Sequence, residues 1–143
     1  MPRRLRLRRG SQLIELSFAI FVLLFLMLGM IEFGYYFFVK HSMQGAAREG
    51  CRTAIVPSAD STAVTKAVAA SLNAAGLNTS SITLDSKYTM SLTPSNWTSM
   101  SSGGSITLEL DASWSAFGVR PLSQFRKDTG DKTIKAITVM RKE

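Results

Sequence analysis

Cysteine and histidine are almost missing from this sequence. The 143-residue chain has one of each, Cys51 and His41. No disulfide can form within it, and no Cys/His zinc cluster can be assembled. Its length suits about one ordinary domain, which excludes multi-domain enzymes. Acids are scarce as well: 10 Asp and Glu stand against 17 Lys and Arg, for a net charge of +7. That imbalance is local. Arg3, Arg4, Arg6, Arg8 and Arg9 lie within residues 1–10 without an acid, and the rest of the chain carries a net charge of only +2. A nucleic-acid-binding domain spreads its basic surface through the fold. The arginines therefore read as an N-terminal address, and no nucleic-acid partner is expected.

The usual signs of catalysis are also lacking. There is no glycine-rich phosphate loop and no pair of histidines. A Ser-His-acid triad would have to use His41, which falls on a stalk at the membrane edge and not in a pocket. Asp85, Glu109, Asp111, Asp128 and Asp131 could supply carboxylates, but the first three sit on the polar faces of predicted strands and read as solvated surface. The sequence predicts a non-enzyme with no metal, no cofactor and no small-molecule substrate.

What the chain does have is apolar length. From Leu16 to Ile31 no residue is charged, and beyond Glu32 the run resumes from Phe33 to Val39, before Lys40. Leu13 to Val39 is 27 residues, about 40 Å as a helix, and a bilayer core needs roughly 20 apolar residues. The arginines keep the N-terminus cytoplasmic and send residues 41–143 outward. The rival is a secretory signal peptide, whose apolar region is about 7–15 residues followed by a small-residue cleavage site. This run is much longer and ends in aromatics and a lysine. Two acids bracket it. Glu15 lies inside apolar sequence, where an acid costs about 2.5–3.5 kcal/mol at mid-bilayer and usually marks function. Glu32, 17 positions later, falls near the outer edge.

The helical pattern continues outward. Tyr36, Val39, Met43, Ala46, Ala47, Gly50 and Ala54 fall at spacings of three and four, on one face. Lys40, Gln44, Arg48 and Arg52 lie opposite. Gly45, Ala46, Ala47, Gly50 and Cys51 form a small-residue strip that a second helix could approach closely. The strip could equally pack on the chain's own outer domain, and the sequence leaves both open. Pro57 ends the helix, giving one rod from Ser11 to about Val56.

These residues carry a resemblance. A basic leader, Gly10, Glu15 at the fifth following position and an apolar helix resemble the processing signature of type IV pilins and pseudopilins. Gly29-Met30-Ile31-Glu32-Phe33-Gly34-Tyr35, with Ala46-Ala47-Arg48-Glu49-Gly50-Cys51-Arg52, is similar to the TadE-like family of the tight-adherence (Tad/Flp) pilus system. The resemblance covers residues 10–56. It implies cleavage between Gly10 and Ser11 by a prepilin peptidase, leaving Glu15 fifth in a mature minor pseudopilin. The new amine at Ser11 is an ion-pair partner for Glu15, on the same chain or a neighbour. The implied partners are the bacterial inner membrane, the peptidase, other pilins or pseudopilins and the assembly platform.

Residues 57–143 read as a small α+β module outside the membrane. Residues 61–75 predict a helix, with Asp60 or Ser61 as cap and Gly76 as stop. Val64, Ala67, Val68, Leu72 and Ala75 form its buried stripe. Strict alternation over 80–92 and 105–115 predicts two half-buried strands, and 133–140 a third with a less clean pattern. A three-stranded antiparallel sheet covering the rod and the short helix is the economical arrangement. Two long loops are candidates for docking: Thr93 to Gly104, with Trp97, and Ala116 to Lys132, with Phe117, Arg120 and Phe125. The domain plan is a leader over 1–10, a membrane helix over 11–39, its extension over 40–56 and the outer domain over 57–143. Two functions fit: an assembling pilus subunit, or an uncleaved single-pass protein whose outer domain binds or senses.

Overall fold

A computed structural model describes residues 8–118, Pro121 and 132–142. The chain is α+β. Helix α1 (Arg8–Ala54) runs unbroken for 47 residues. Helix α2 (Ser61–Ala74) follows, then strands β1 (Tyr88–Thr93), β2 (Ser105–Ser113) and β3 (Thr133–Arg141). The strands form one antiparallel sheet in the order β1-β2-β3. Short 3-10 turns occupy Trp97–Ser99 and Trp114–Ala116. The chain forms two compact units, and the division falls within α1, after Tyr35.

The part of α1 before that division is long and apolar enough to cross a membrane, by length and composition. Leu23, Leu24, Phe25 and Leu26 are 65, 49, 48 and 60 % exposed. At about 100° per residue, four consecutive positions circle a helix, so no side is covered. An apolar surface of this extent suits hydrocarbon and not water.

From Tyr36 onward α1 belongs to the outer unit and has a covered side. Val39, Met43, Ala46, Ala47, Cys51 and Ala54 are fully buried, at the three-and-four spacing that the sequence predicts. In α2 the Asp60 carboxylate accepts the Ala63 N–H at 2.6 Å, satisfying a free donor of the first turn. The helix stops at Gly76, whose φ of +71° suits a residue without Cβ, and the Leu77 N–H closes back on the Leu72 carbonyl at 2.9 Å. Val64, Val68, Ala69 and Leu72 are its buried residues. Ala67 and Ala75 of the predicted stripe are only half-buried.

Strand β2 is central and alternates as the sequence predicts. Ile106, Leu108, Leu110 and Ala112 are buried, with Leu110 opposite Met90 on one neighbour and Ala136 on the other. On the outward row, the Lys135 ammonium sits 2.7 Å from Glu109 and 3.2 Å from Asp111. Exposed pairs of this kind contribute about 0–1 kcal/mol. The less clean pattern of β3 has a structural counterpart: its outward Ile137 and Val139 are exposed.

The strand predicted over 80–92 is shorter, starting only at Tyr88. Residues 78–85 instead wind around the buried side chain of Asn78. Its amide donates to the Ser80 and Thr83 carbonyls at 2.6 and 2.7 Å, and its oxygen accepts the Asp85 N–H at 2.9 Å. The Ser80 hydroxyl accepts the N–H groups of Ile82 and Thr83. Such local bonds compete directly with a ladder, and they win here because Ile82, unlike a core strand residue, is left exposed. The strand predicted over 105–115 likewise ends at Ser113, where Trp114 turns away and donates its N–H to the Lys132 carbonyl at 2.8 Å.

The Thr79 hydroxyl, and then the Thr79 N–H and Lys87, hold the Asp85 carboxyl below its ordinary pKa. A depressed carboxyl supports folding above its unfolded pKa, about 3.9, and the support is lost as pH falls through the lower folded value. Asp85→Asn should therefore flatten the acid limb of stability, measured by circular dichroism on the full chain in detergent. Parallel acid limbs for the two proteins would refute this role.

Candidate functional site

The residues singled out in the sequence fall on α1 and on the two loops. Gly10 and Ser11 lie in the first turns of α1; residues 1–7 of the leader fall outside the described residues. Ser11 and Glu15 are four positions apart and therefore share a face, and Glu15 is exposed amid Leu13, Ile14 and Leu16. Glu32 is half-buried, about 25 Å further along the axis.

The small-residue strip has its cover within the chain. Ala46, Ala47 and Cys51 are fully buried and Gly50 is buried, whereas Gly45 is exposed with open space around it. A Cβ at Gly50 would collide with Val68 and would lie 2.9 Å from Leu108 and 3.6 Å from Val64. At this point α1, α2 and β2 meet. At the next residue, the Cys51 thiol donates to the Ile106 carbonyl at 3.5 Å and lies 3.8 Å from that of Thr138. Burial pushes its pKa up, so it behaves as a small core residue and not as a reactive thiolate. The spacing places Gln44 on the polar side with Lys40. Its amide instead reaches β3, donating to the Ile137 carbonyl at 2.9 Å and the Thr138 hydroxyl at 3.0 Å. That contact occupies a carbonyl on the edge of the sheet.

The proposed docking aromatics need correction. Trp97 and Phe117 are 6 and 3 % exposed, because each loop folds its ring down onto the domain. Arg120 and Phe125 lie outside the described residues. Trp97 is held from a direction that the sequence does not advertise. Lys142, itself buried, donates its ammonium to the Trp97 and Thr98 carbonyls at 3.0 and 2.8 Å. Its only signal is phase: Lys142 continues the inward row of Ile134 and Ala136.

A second cluster marks the end at which α1 enters the outer unit. The Tyr36 and Trp114 rings meet edge to face at 5.3 Å, Trp114 and Phe117 lie 5.9 Å apart, and Phe117 and Tyr88 6.3 Å. The Lys87 ammonium sits over the Tyr88 and Phe117 rings and pairs with Asp85 at 3.3 Å. His41 stacks on Phe37 along α1. Among the described residues no group of three or more His, Cys, Asp or Glu could hold a metal.

The organising element is thus α1, and a comparison with known families falls on it. Residues 10–52 match the family model described as TadE-like protein. The TadE-like segment covers α1 from Gly10 almost to its end and none of the sheet. No curated protein and no solved structure matches the chain.

Two glycines of this segment should respond in opposite ways. Gly50→Val should destabilise the outer domain by about 1–3 kcal/mol or more through overpacking. Gly45→Ala, in open space on a helix, should stabilise by about 0.5–1 kcal/mol. Denaturant unfolding of the full chain in detergent checks both; equal effects would contradict the close approach at Gly50.

Proposed function

We propose that the chain is a pseudopilin-like, membrane-anchored subunit in Tad/Flp pilus biogenesis. It sits in the bacterial inner membrane with its N-terminus cytoplasmic and its α+β domain outside, and has no catalytic role of its own. A prepilin peptidase removes residues 1–10, and the mature chain assembles with other pilins or pseudopilins on the platform through α1. The observation that carries this reading is the TadE-like match over a helix whose first half is apolar and uncovered on every side.

Chemistry at the front of that helix fits the proposal. A carboxylate among apolar residues is costly in a bilayer, and cleavage after Gly10 places a positive amine four positions before Glu15, on the same face. In hydrocarbon the attraction between those charges is far stronger than in water. Within one chain the pair neutralises itself; between chains it fixes the register of neighbours. The small-residue strip of α1 is already covered by the chain's own domain, so the surface left for assembly is the apolar stretch around Leu13 to Phe33.

Intact mass of the protein from membranes containing the peptidase tests the reading. Wild type should lack residues 1–10, and Gly10→Leu should retain them. Glu15→Ala should insert normally yet fail to join pili. A full-length wild-type mass together with normal piliation by Glu15→Ala would overturn the proposal, in favour of an uncleaved single-pass protein with a binding or sensing domain.

A further inference from the structure

The turn of α1 at which it enters the outer unit does two jobs at once. Phe37 and Phe38 are 52 and 46 % exposed, while Val39 beside them is fully buried and Tyr36 already packs on Trp114. The apolar run therefore reaches into the domain, and no polar spacer separates the last apolar turn from the sheet. The Tyr36–Trp114 contact at 5.3 Å fixes Trp114 at the depth of that turn. Lys40 and His41 follow on the exposed side of the helix, and Lys87 lies over the rings of Tyr88 and Phe117. Rings with a polar edge, flanked by long cationic side chains, suit the boundary between acyl chains and headgroups.

We propose that the Trp114 end of the outer domain is seated in the phospholipid headgroup layer, with Tyr36 and the exposed Phe37 and Phe38 as an aromatic collar, the buried Trp114 packed directly behind Tyr36 at the same depth, and Lys40 and Lys87 as cations for lipid phosphates. The inference rests on the reading of α1 as a membrane span. It goes beyond anchorage, since it names the end of the domain that meets the lipid. The other end of the sheet is then held in water. Strand β2 leads from Ser105 to Ser113, just before Trp114, a separation of roughly 27 Å. Trp97 belongs to the far end: its carbonyl holds Lys142, whose backbone pairs with Gly103 and Gly104 at 2.8 and 2.7 Å. The direction of α1 agrees, for Tyr36 meets Trp114 whereas Cys51 meets Ile106.

The two tryptophans make a depth ruler. Full-length Trp97→Phe and Trp114→Phe, each with one tryptophan left, are reconstituted into phosphatidylethanolamine–phosphatidylglycerol vesicles containing lipids brominated at shallow acyl positions. Trp114 should be quenched severalfold more than Trp97, and aqueous iodide should show the reverse order. A polarity-sensitive dye on Ala116→Cys, with Ser101→Cys as the distal control and Cys51 buried, gives a reading that spares both rings. The Ala116 label should shift to the blue on reconstitution and the Ser101 label should not. If the protein floats with the vesicles but both sites report water, the seated collar is wrong and the membrane anchor stands. If it does not float, the anchor fails and the collar falls with it.

Discussion

At Gly50 the α1 backbone lies so close to Val64, Val68 and Leu108 that a single added carbon collides, and the outer domain is built around this approach. A 14-residue helix and three strands enclose too little apolar surface to be stable alone. The missing wall is the second half of α1, which contributes Val39, Met43, Ala46, Ala47 and Cys51. Small side chains on that wall let the sheet and α2 come near enough to exclude water from β2. Larger ones would hold the layers apart and leave voids.

One helix thus meets two solvents. Around Leu23 to Leu26 its surface is apolar all round; after the exposed Phe37 and Phe38 the apolar residues keep to the covered side, and Lys40, Arg48 and Arg52 stay exposed. No loop intervenes between the two regimes, since α1 is continuous from Arg8 to Ala54. The arrangement also assigns surfaces. The strip around Gly50 is covered by α2 and β2 and serves folding, whereas the stretch from Leu13 to Phe33 has no such cover.

Period is the property that the sequence exposes best. The 3.6-residue repeat of Tyr36 to Ala54, the capped repeat after Asp60 and the alternation of Ile106 to Ala112 all place their elements within a residue or two. What periodicity does not carry is which competitor supplies the hydrogen bonds. Alternation over residues 80–87 looks like strand, yet Asn78 and Ser80 take up the same backbone groups locally. The small-residue strip is ambiguous for a different reason: alanine and glycine permit close approach by any partner, and only the fold names α2 and β2. Trp97 and Phe117 mislead because an aromatic in a long loop reads alike whether it faces solvent or the core. At the other end of α1, Gly10 and Glu15 are legible only as a motif, since chemistry that acts on an exposed helix end leaves no imprint on packing.

The surroundings of α1 change along its length, and a nitroxide scan of that helix in the full chain, reconstituted in lipid vesicles, tests this most directly. Accessibility to oxygen should be high at every position from Leu13 to Phe33, without a helical period, and should then oscillate with the 3.6-residue repeat from Val39 to Ala54, Gly50 being left unlabelled, with minima at Val39, Met43, Ala47 and Ala54. A repeat already present before Phe33, or uniform accessibility after Val39, would contradict it.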